Sequence, residues 1–151
     1  LEVPTLSETT RRELRTYIPV AGNSIRNPLD AGIAESTLKY LHRTLELLDA
    51  DPLVDTVIVH RHVHHHGDPG ELKVRRAVVE GLIEYVEANR HTKPIVMALS
   101  SGGYDPPVEE ERLYLRTLLA NSKVPVCDSM ALAALTLSLL ARYWGTRKAA
   151  P

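Results

Sequence analysis

The sequence has almost no cysteine: Cys127 is the only one among its 151 residues. A single cysteine cannot form an internal disulfide, which favours a reducing compartment. Long hydrophobic runs are also missing, since none approaches the roughly 18 residues of a membrane-spanning helix. No signal peptide is recognisable. We therefore expect a cytoplasmic protein with no membrane partner.

An excess of charge of one sign is lacking as well. The 18 Lys and Arg residues nearly balance the 19 Asp and Glu residues, for a formal net charge of -1. Such a balance does not indicate a nucleic-acid partner. The apolar share of 44% and the charged share of 25% are typical of one compact globular domain. Leu1 in place of Met favours a fragment of a longer chain or a processed product.

Fingerprints of nucleotide binding and of hydrolysis are absent from the sequence. No Walker motif occurs, and no G-x-G-x-x-G follows a predicted strand. Ser100 and Ser101 lack a G-x-S-x-G setting, so neither is expected to be a hydrolase nucleophile. Cys127 lies toward the end of a predicted buried strand, where a small core residue is expected more than a catalytic thiol. No catalytic residue is therefore assigned.

Helical and strand patterns alternate along the chain. Leu38 and Leu41 begin a series of leucines at helical spacing, whereas Val57, Ile58 and Val59 form a short run typical of a strand buried on both faces. The patterns predict helices over 6–18, 35–52, 68–91, 105–122 and 129–144, and strands over 54–63, 93–100 and 124–128.

Three successive strand–helix units require crossover connections. They predict a three-layer, flavodoxin-like α/β sandwich with a mostly parallel sheet and helices on both faces. We expect one domain over 1–151, with an N-terminal helix and an NPLD loop over 6–34 and an α/β core over 35–145. Ser7 and Asp105 are predicted to cap the first and fourth helices.

Histidines are concentrated just after the first strand, at the edge of the sheet where ligands gather. If the strand continues, His60, His62 and His64 share one face, an arrangement suited to zinc, copper or nickel. The alternatives are a solvated polar loop, adventitious Zn²⁺ or Ni²⁺, and a phosphorylated histidine. The candidate metal ligands are His60, His62, His64 and His66, with Asp68 as an oxygen donor.

The loop after the second strand contains Ser101, Gly102 and Gly103. Its backbone amides could hold a phosphate, because glycine permits close approach. However, the next helix begins with acidic residues, Glu109 among them, which would repel an anion. The alternative is a flexible loop before a well-capped helix.

Four segments of the sequence, in the same order, are similar to one domain of the NDP-forming acyl-CoA synthetases, which are relatives of succinyl-CoA synthetase. They are YIPVAGNSIRNPLDAG, ELLDADPLVDTVIV, KPIVMALSSGG and NSKVPVCDSMALAALTLSLLARY. The resemblance covers about 6–143. It is to the flavodoxin-like domain that follows the CoA-binding and phosphohistidine domains.

The resemblance implies which parts of this domain would lie near the phosphate. The loop that contains Asn27 would lie near the surface facing the phosphohistidine, and the helix beginning near Pro69 would direct its N-terminus at the phosphoryl group. Simple turn chemistry at the NPLD loop is the alternative. The candidate phosphate-site residues are Asn27, Pro28, Asp30, Gly67, Asp68, Gly70, Ser101, Gly102 and Gly103.

The same resemblance implies the partners. The whole enzyme would use ATP, Mg²⁺ and CoA, but this domain is expected to hold none of them alone and to be inactive alone. Its partners would be the CoA-binding and phosphohistidine domain and an ATP-grasp domain, with homo-oligomers left open. The sequence departs from the family at HVHHHGDPG, where relatives are glycine-rich. A stand-alone binding or regulatory module that holds metal through His60–His66 is the alternative.

Overall fold

A computed structural model describes residues 1–19, 21–30, 38–64, 69–88 and 91–148. Every predicted helix and strand is found there, with ends that shift by a few residues. The elements are α1 Glu8–Leu14, α2 Leu38–Ala50, β1 Val57–Val63, α3 Pro69–Glu87, β2 Ile95–Ser101, α4 Pro106–Ala120, β3 Val126–Cys127 and α5 Met130–Lys148.

The three strands form a parallel sheet in the order β1-β2-β3. β1 pairs with β2 along its whole length, from Val57 opposite Ile95 to Val63 opposite Ser101, whereas β3 contributes only two residues. Parallel neighbours need a crossover between them, and α3 and α4 supply the two crossovers. The carboxyl ends of all three strands therefore lie at one edge.

A large hydrophobic core lies on one face of the sheet. Ile95, Met97 and Leu99 alternate along β2 and share this face. Helices α1, α2, α3 and α4 all contribute to the core. The buried helix residues are Leu14, Leu41, Leu45, Val78, Val79, Leu82, Tyr85, Val86, Val108, Leu115 and Leu119.

A much smaller core lies on the opposite face. Val96 and Ala98 of β2 pack there against Ala133 and Leu137 of α5. Helices thus cover both faces, and the predicted three-layer α/β sandwich with a parallel sheet is confirmed in a small, three-stranded form. Among the described residues, no helix is both long and apolar enough to cross a membrane.

One expectation about burial was wrong: the first strand is not buried on both faces. Leu38, whose helical spacing was predicted, is 40% exposed because it is the first residue of α2 and lies at the rim of the core. Ile58 and Val59 are only half-buried. β1 is an edge strand of this sheet, so it is covered less completely than the central strand β2.

The two predicted helix caps differ. Ser7 caps α1 through its side-chain oxygen, which accepts a hydrogen bond from the Thr10 amide at 3.2 Å. Asp105 occupies the N-cap position of α4 but makes no side-chain capping bond, so that prediction was wrong in its chemistry. Pro106 and Pro107 follow it, and neither has an N–H to donate.

Candidate functional site

Polar side chains collect at the carboxyl edge of the sheet. β1 brings His60 and His62 to this edge, and β2 brings Ser100 and Ser101. Asp128 follows β3 directly. Because the strands are parallel, residues from distant parts of the sequence become neighbours here.

Two histidines converge on one serine. His60 Nε2 lies 3.0 Å from Ser100 Oγ, and His62 Nδ1 lies 3.1 Å from the same oxygen. Strand alternation puts both histidines on one face of β1, and the register places His62 directly opposite Ser100. Both imidazoles are exposed, so the cluster is open to a ligand.

His64 extends the row of imidazoles. Its ring stacks near that of His62, with centroids 5.7 Å apart, and its Nδ1 lies 3.0 Å from the His62 carbonyl oxygen. His66 and Asp68 lie outside the described residues. Within the part of the chain that is described, no three His, Cys, Asp or Glu side chains gather as a metal site. The four-histidine metal site therefore stays a prediction.

Ser101, predicted to lie in the loop, is instead the last residue of β2 and is bonded to an acidic residue. Ser101 Oγ donates a hydrogen bond to the Glu109 carboxylate. This bond, together with the Arg112 guanidinium at 2.8 Å, holds the pKa of Glu109 below its usual value. The carboxylate therefore stays charged near the loop, which disfavours a bound anion.

The glycines after Ser101 give this loop its shape. Gly103 has a positive φ of 74°, a conformation that side chains rarely adopt. Open space surrounds the positions where a Cβ would stand at Gly102 and Gly103. The assignment of Ser101, Gly102 and Gly103 to a phosphate site stays a prediction.

Sequence reasoning missed an ionic network at the same edge. Arg112 donates to Asp128 at 3.1 Å as well as to Glu109, and Arg116 donates to Asp128 at 2.5 Å. The helical spacing of Glu109, Arg112 and Arg116 was a signal for a shared face of α4. Asp128 joins them only through the tertiary fold. The network fixes α4 to the end of β3.

The NPLD loop is closed on itself. The amides and carbonyls of Ser24 and Asp30 pair reciprocally at 2.8 and 2.9 Å, and the intervening Asn27–Pro28 peptide is cis. Asn27 Nδ2 donates to the Pro4 carbonyl at 3.0 Å. Leu29 packs against the large core. These contacts fasten the loop to the N-terminal segment.

The start of α3 is where the sequence predicted it. The helix begins at Pro69, with Gly70 in its first turn. Because α3 follows β1, its N-terminus lies on the carboxyl side of the sheet, where helix dipoles favour anions. Gly67 and Asp68, also predicted for this phosphate site, lie outside the described residues.

Similarity over most of this chain is found in a solved structure. It is the crystal structure of PH0766 from Pyrococcus horikoshii OT3, with a TM-score of 0.60 and 29% sequence identity. The match covers 83% of this chain but only 26% of PH0766, so this chain spans about a quarter of that relative. No family model and no curated protein matches. The similarity supports the small α/β fold and brings no activity with it.

Proposed function

We propose that this chain serves as a domain of an NDP-forming acyl-CoA synthetase. The whole enzyme would join a carboxylic acid to CoA while ATP is cleaved to ADP and phosphate. Three observations support this. The sequence strings resemble that family over most of the chain, the fold is the small α/β sandwich that the resemblance implies, and the match to PH0766 covers only part of a longer polypeptide.

The outer face of α5 is the observation that carries the proposal. No charged residue occurs from Met130 to Ala141, and the helix is apolar on nearly every side. Only one side of it packs on the sheet, through Ala133 and Leu137. A helix of this kind is normally buried all round. The exposed apolar residues on α5 are Met130, Leu132, Leu135, Leu139, Leu140, Tyr143 and Trp144.

We assign this face to the CoA-binding and phosphohistidine domains of the synthetase. Large exposed apolar patches mark protein interfaces, and an uncharged patch favours a permanent contact over a transient one. The match to a quarter of PH0766 is consistent with further polypeptide beside such a domain. Docking is thus the main contribution that we propose for this chain.

A second contribution would be to the phosphate site. The N-terminus of α3, at Pro69 and Gly70, would offer amide groups and a positive dipole end to the phosphoryl group. The closed loop containing Asn27, Pro28 and Asp30 would present a fixed surface to the neighbouring domain. ATP, Mg²⁺ and CoA would bind to the other domains.

Reconstitution tests the proposal. The CoA-binding, phosphohistidine and ATP-grasp domains of a synthetase from the same organism are mixed with and without this chain. Acyl-CoA formation coupled to ADP release is then measured. We expect product only when this chain is present. An equal rate in its absence would show that the chain has no part in the reaction.

A further inference from the structure

A pair of imidazoles at the end of β1 has no role in the proposed docking. His60 and His62 stand two positions apart on one strand, so their side chains project from the same face. Both could point apart into solvent, yet one nitrogen of each lies within 3.1 Å of Ser100 Oγ. The two rings therefore face a common point.

That point suits a metal ion. Imidazole nitrogen is a ligand for zinc, copper and nickel, and a Zn–N bond is about 2.0–2.1 Å long. Ser100 Oγ stands 3.0 Å from His60 Nε2 and 3.1 Å from His62 Nδ1. To bind an ion beside the hydroxyl, each exposed ring would have to rotate so that its nitrogen comes within bonding distance.

We propose that His60 Nε2 and His62 Nδ1 together bind one divalent transition-metal ion, with Zn²⁺ as the representative. Ser100 is the positioning residue, because its hydroxyl holds the two rings toward each other. Without the ion, one ring accepts the single hydrogen of the hydroxyl and the other donates its N–H to Oγ. With the ion, the nitrogen of each ring that faces Ser100 would carry no hydrogen and would give its lone pair to the metal. Two histidines leave coordination positions open for water or for an anionic ligand.

The proposed site has two histidine ligands, whereas the array predicted from the sequence has four. It uses only side chains whose positions are described. It has two imidazole donors, fewer than the three His, Cys, Asp or Glu side chains of which no group is found among the described residues. With two protein ligands, it should bind zinc more weakly than a closed structural site of four. The site does not depend on the proposed synthetase role, so each can fail without the other.

Calorimetric titration with Zn²⁺ tests the proposal. The chain is prepared without a polyhistidine tag and titrated in a non-chelating buffer at neutral pH, beside its His60→Ala and His62→Ala variants. We expect each substitution to weaken zinc binding by at least about tenfold, since even outer-shell changes at metal sites cost 10–100-fold. Circular dichroism of each variant confirms that the fold is retained.

Two further variants make the result specific. His91 lies before β2, at the opposite end of the sheet, and His91→Ala should bind zinc like the parent. Ser100→Ala keeps both imidazoles, so we expect it to bind zinc more tightly than His62→Ala does. The proposal is overturned if the titrations of His60→Ala and His62→Ala match the parent. It is also overturned if Ser100→Ala loses as much affinity as they do.

Discussion

The two faces of the sheet differ in how completely this chain covers them. On one face, Ile95, Met97 and Leu99 belong to a continuous core to which four helices contribute. On the other face, α5 is the one helix among the described residues that packs on Val96 and Ala98. Helices of this chain cover the first face. On the second face, the outer side of α5 is exposed and apolar. The larger core and the surface that we propose for docking therefore lie on opposite sides of the sheet.

Leucines in α4 and α5 show the same contrast. Leu115 in α4 is fully buried, but Leu135 and Leu139 in α5 are 56% and 54% exposed. All three are leucines within helices that pack on the same small sheet. Residue type therefore does not decide burial here; the number of surrounding elements does. The α5 leucines lack a second layer to pack against within the described part of the chain.

Truncating one leucine in α4 and one in α5 should show the largest difference between the two faces. Leu115→Ala removes a fully buried side chain from the large core, and we expect a loss of about 2–5 kcal/mol in the free energy of unfolding. Leu135→Ala removes an exposed side chain, and we expect a change within about 0.5 kcal/mol. Urea denaturation of the chain measures both. Equal losses would mean that the α5 leucine is buried in solution.

A buried carboxylate on the well-covered side should give the next largest effect. Asp51 is 1% exposed and accepts hydrogen bonds from the Ser7 amide at 2.9 Å and the Leu53 amide at 3.0 Å. Burial alone would raise the pKa of Asp51, but these bonds and the Thr10 hydroxyl hold it below its usual value. Asp51 thus ties the start of α1 to the end of α2.

Asp51→Asn should lower the free energy of unfolding by about 1–3 kcal/mol at neutral pH, because the new amide turns a donor toward a backbone N–H. Since the folded pKa is depressed, the stabilisation is complete above the unfolded pKa of about 3.9. It is lost as the pH falls further, through the folded pKa. The gap between parent and variant should therefore close in acid. The exposed Asp55 provides a control, and Asp55→Asn should leave stability unchanged. A gap that stays constant in acid would contradict the assignment.

The positions of the helices and strands could be predicted because the apolar residues repeat at clear periods. Leucines at helical spacing gave α2, and the run at 95–99 gave β2. Burial was harder to predict. Leu38 fits the helical pattern but lies at the rim, and Ile58 fits the strand pattern but lies on an edge strand. Periodicity identifies a face and says nothing of how many elements cover it.

The candidate site could be predicted only in part. Strand alternation was enough to place His60 and His62 on one face. Their common partner, Ser100, depends on the register between β1 and β2, which the sequence does not encode locally. The pairing of Asp128 with Arg112 likewise depends on how α4 packs beside β3. Contacts across the sheet are therefore the part that sequence periodicity could not supply.

We propose that the outer face of α5 docks the other domains of a synthetase. Calorimetric titration of this chain with the separately produced CoA-binding and phosphohistidine domains tests it most directly. The double variant Leu135→Glu with Leu139→Glu places charges on this face, and Leu113→Glu places one at a leucine of α4 that is 52% exposed.

We predict that the parent and Leu113→Glu bind the domains alike. The α5 double variant should bind at least about thirtyfold more weakly, the equivalent of a 2 kcal/mol interface hot spot. Equal affinity for all three chains would contradict the claim, since a buried apolar interface cannot accept two carboxylates without loss.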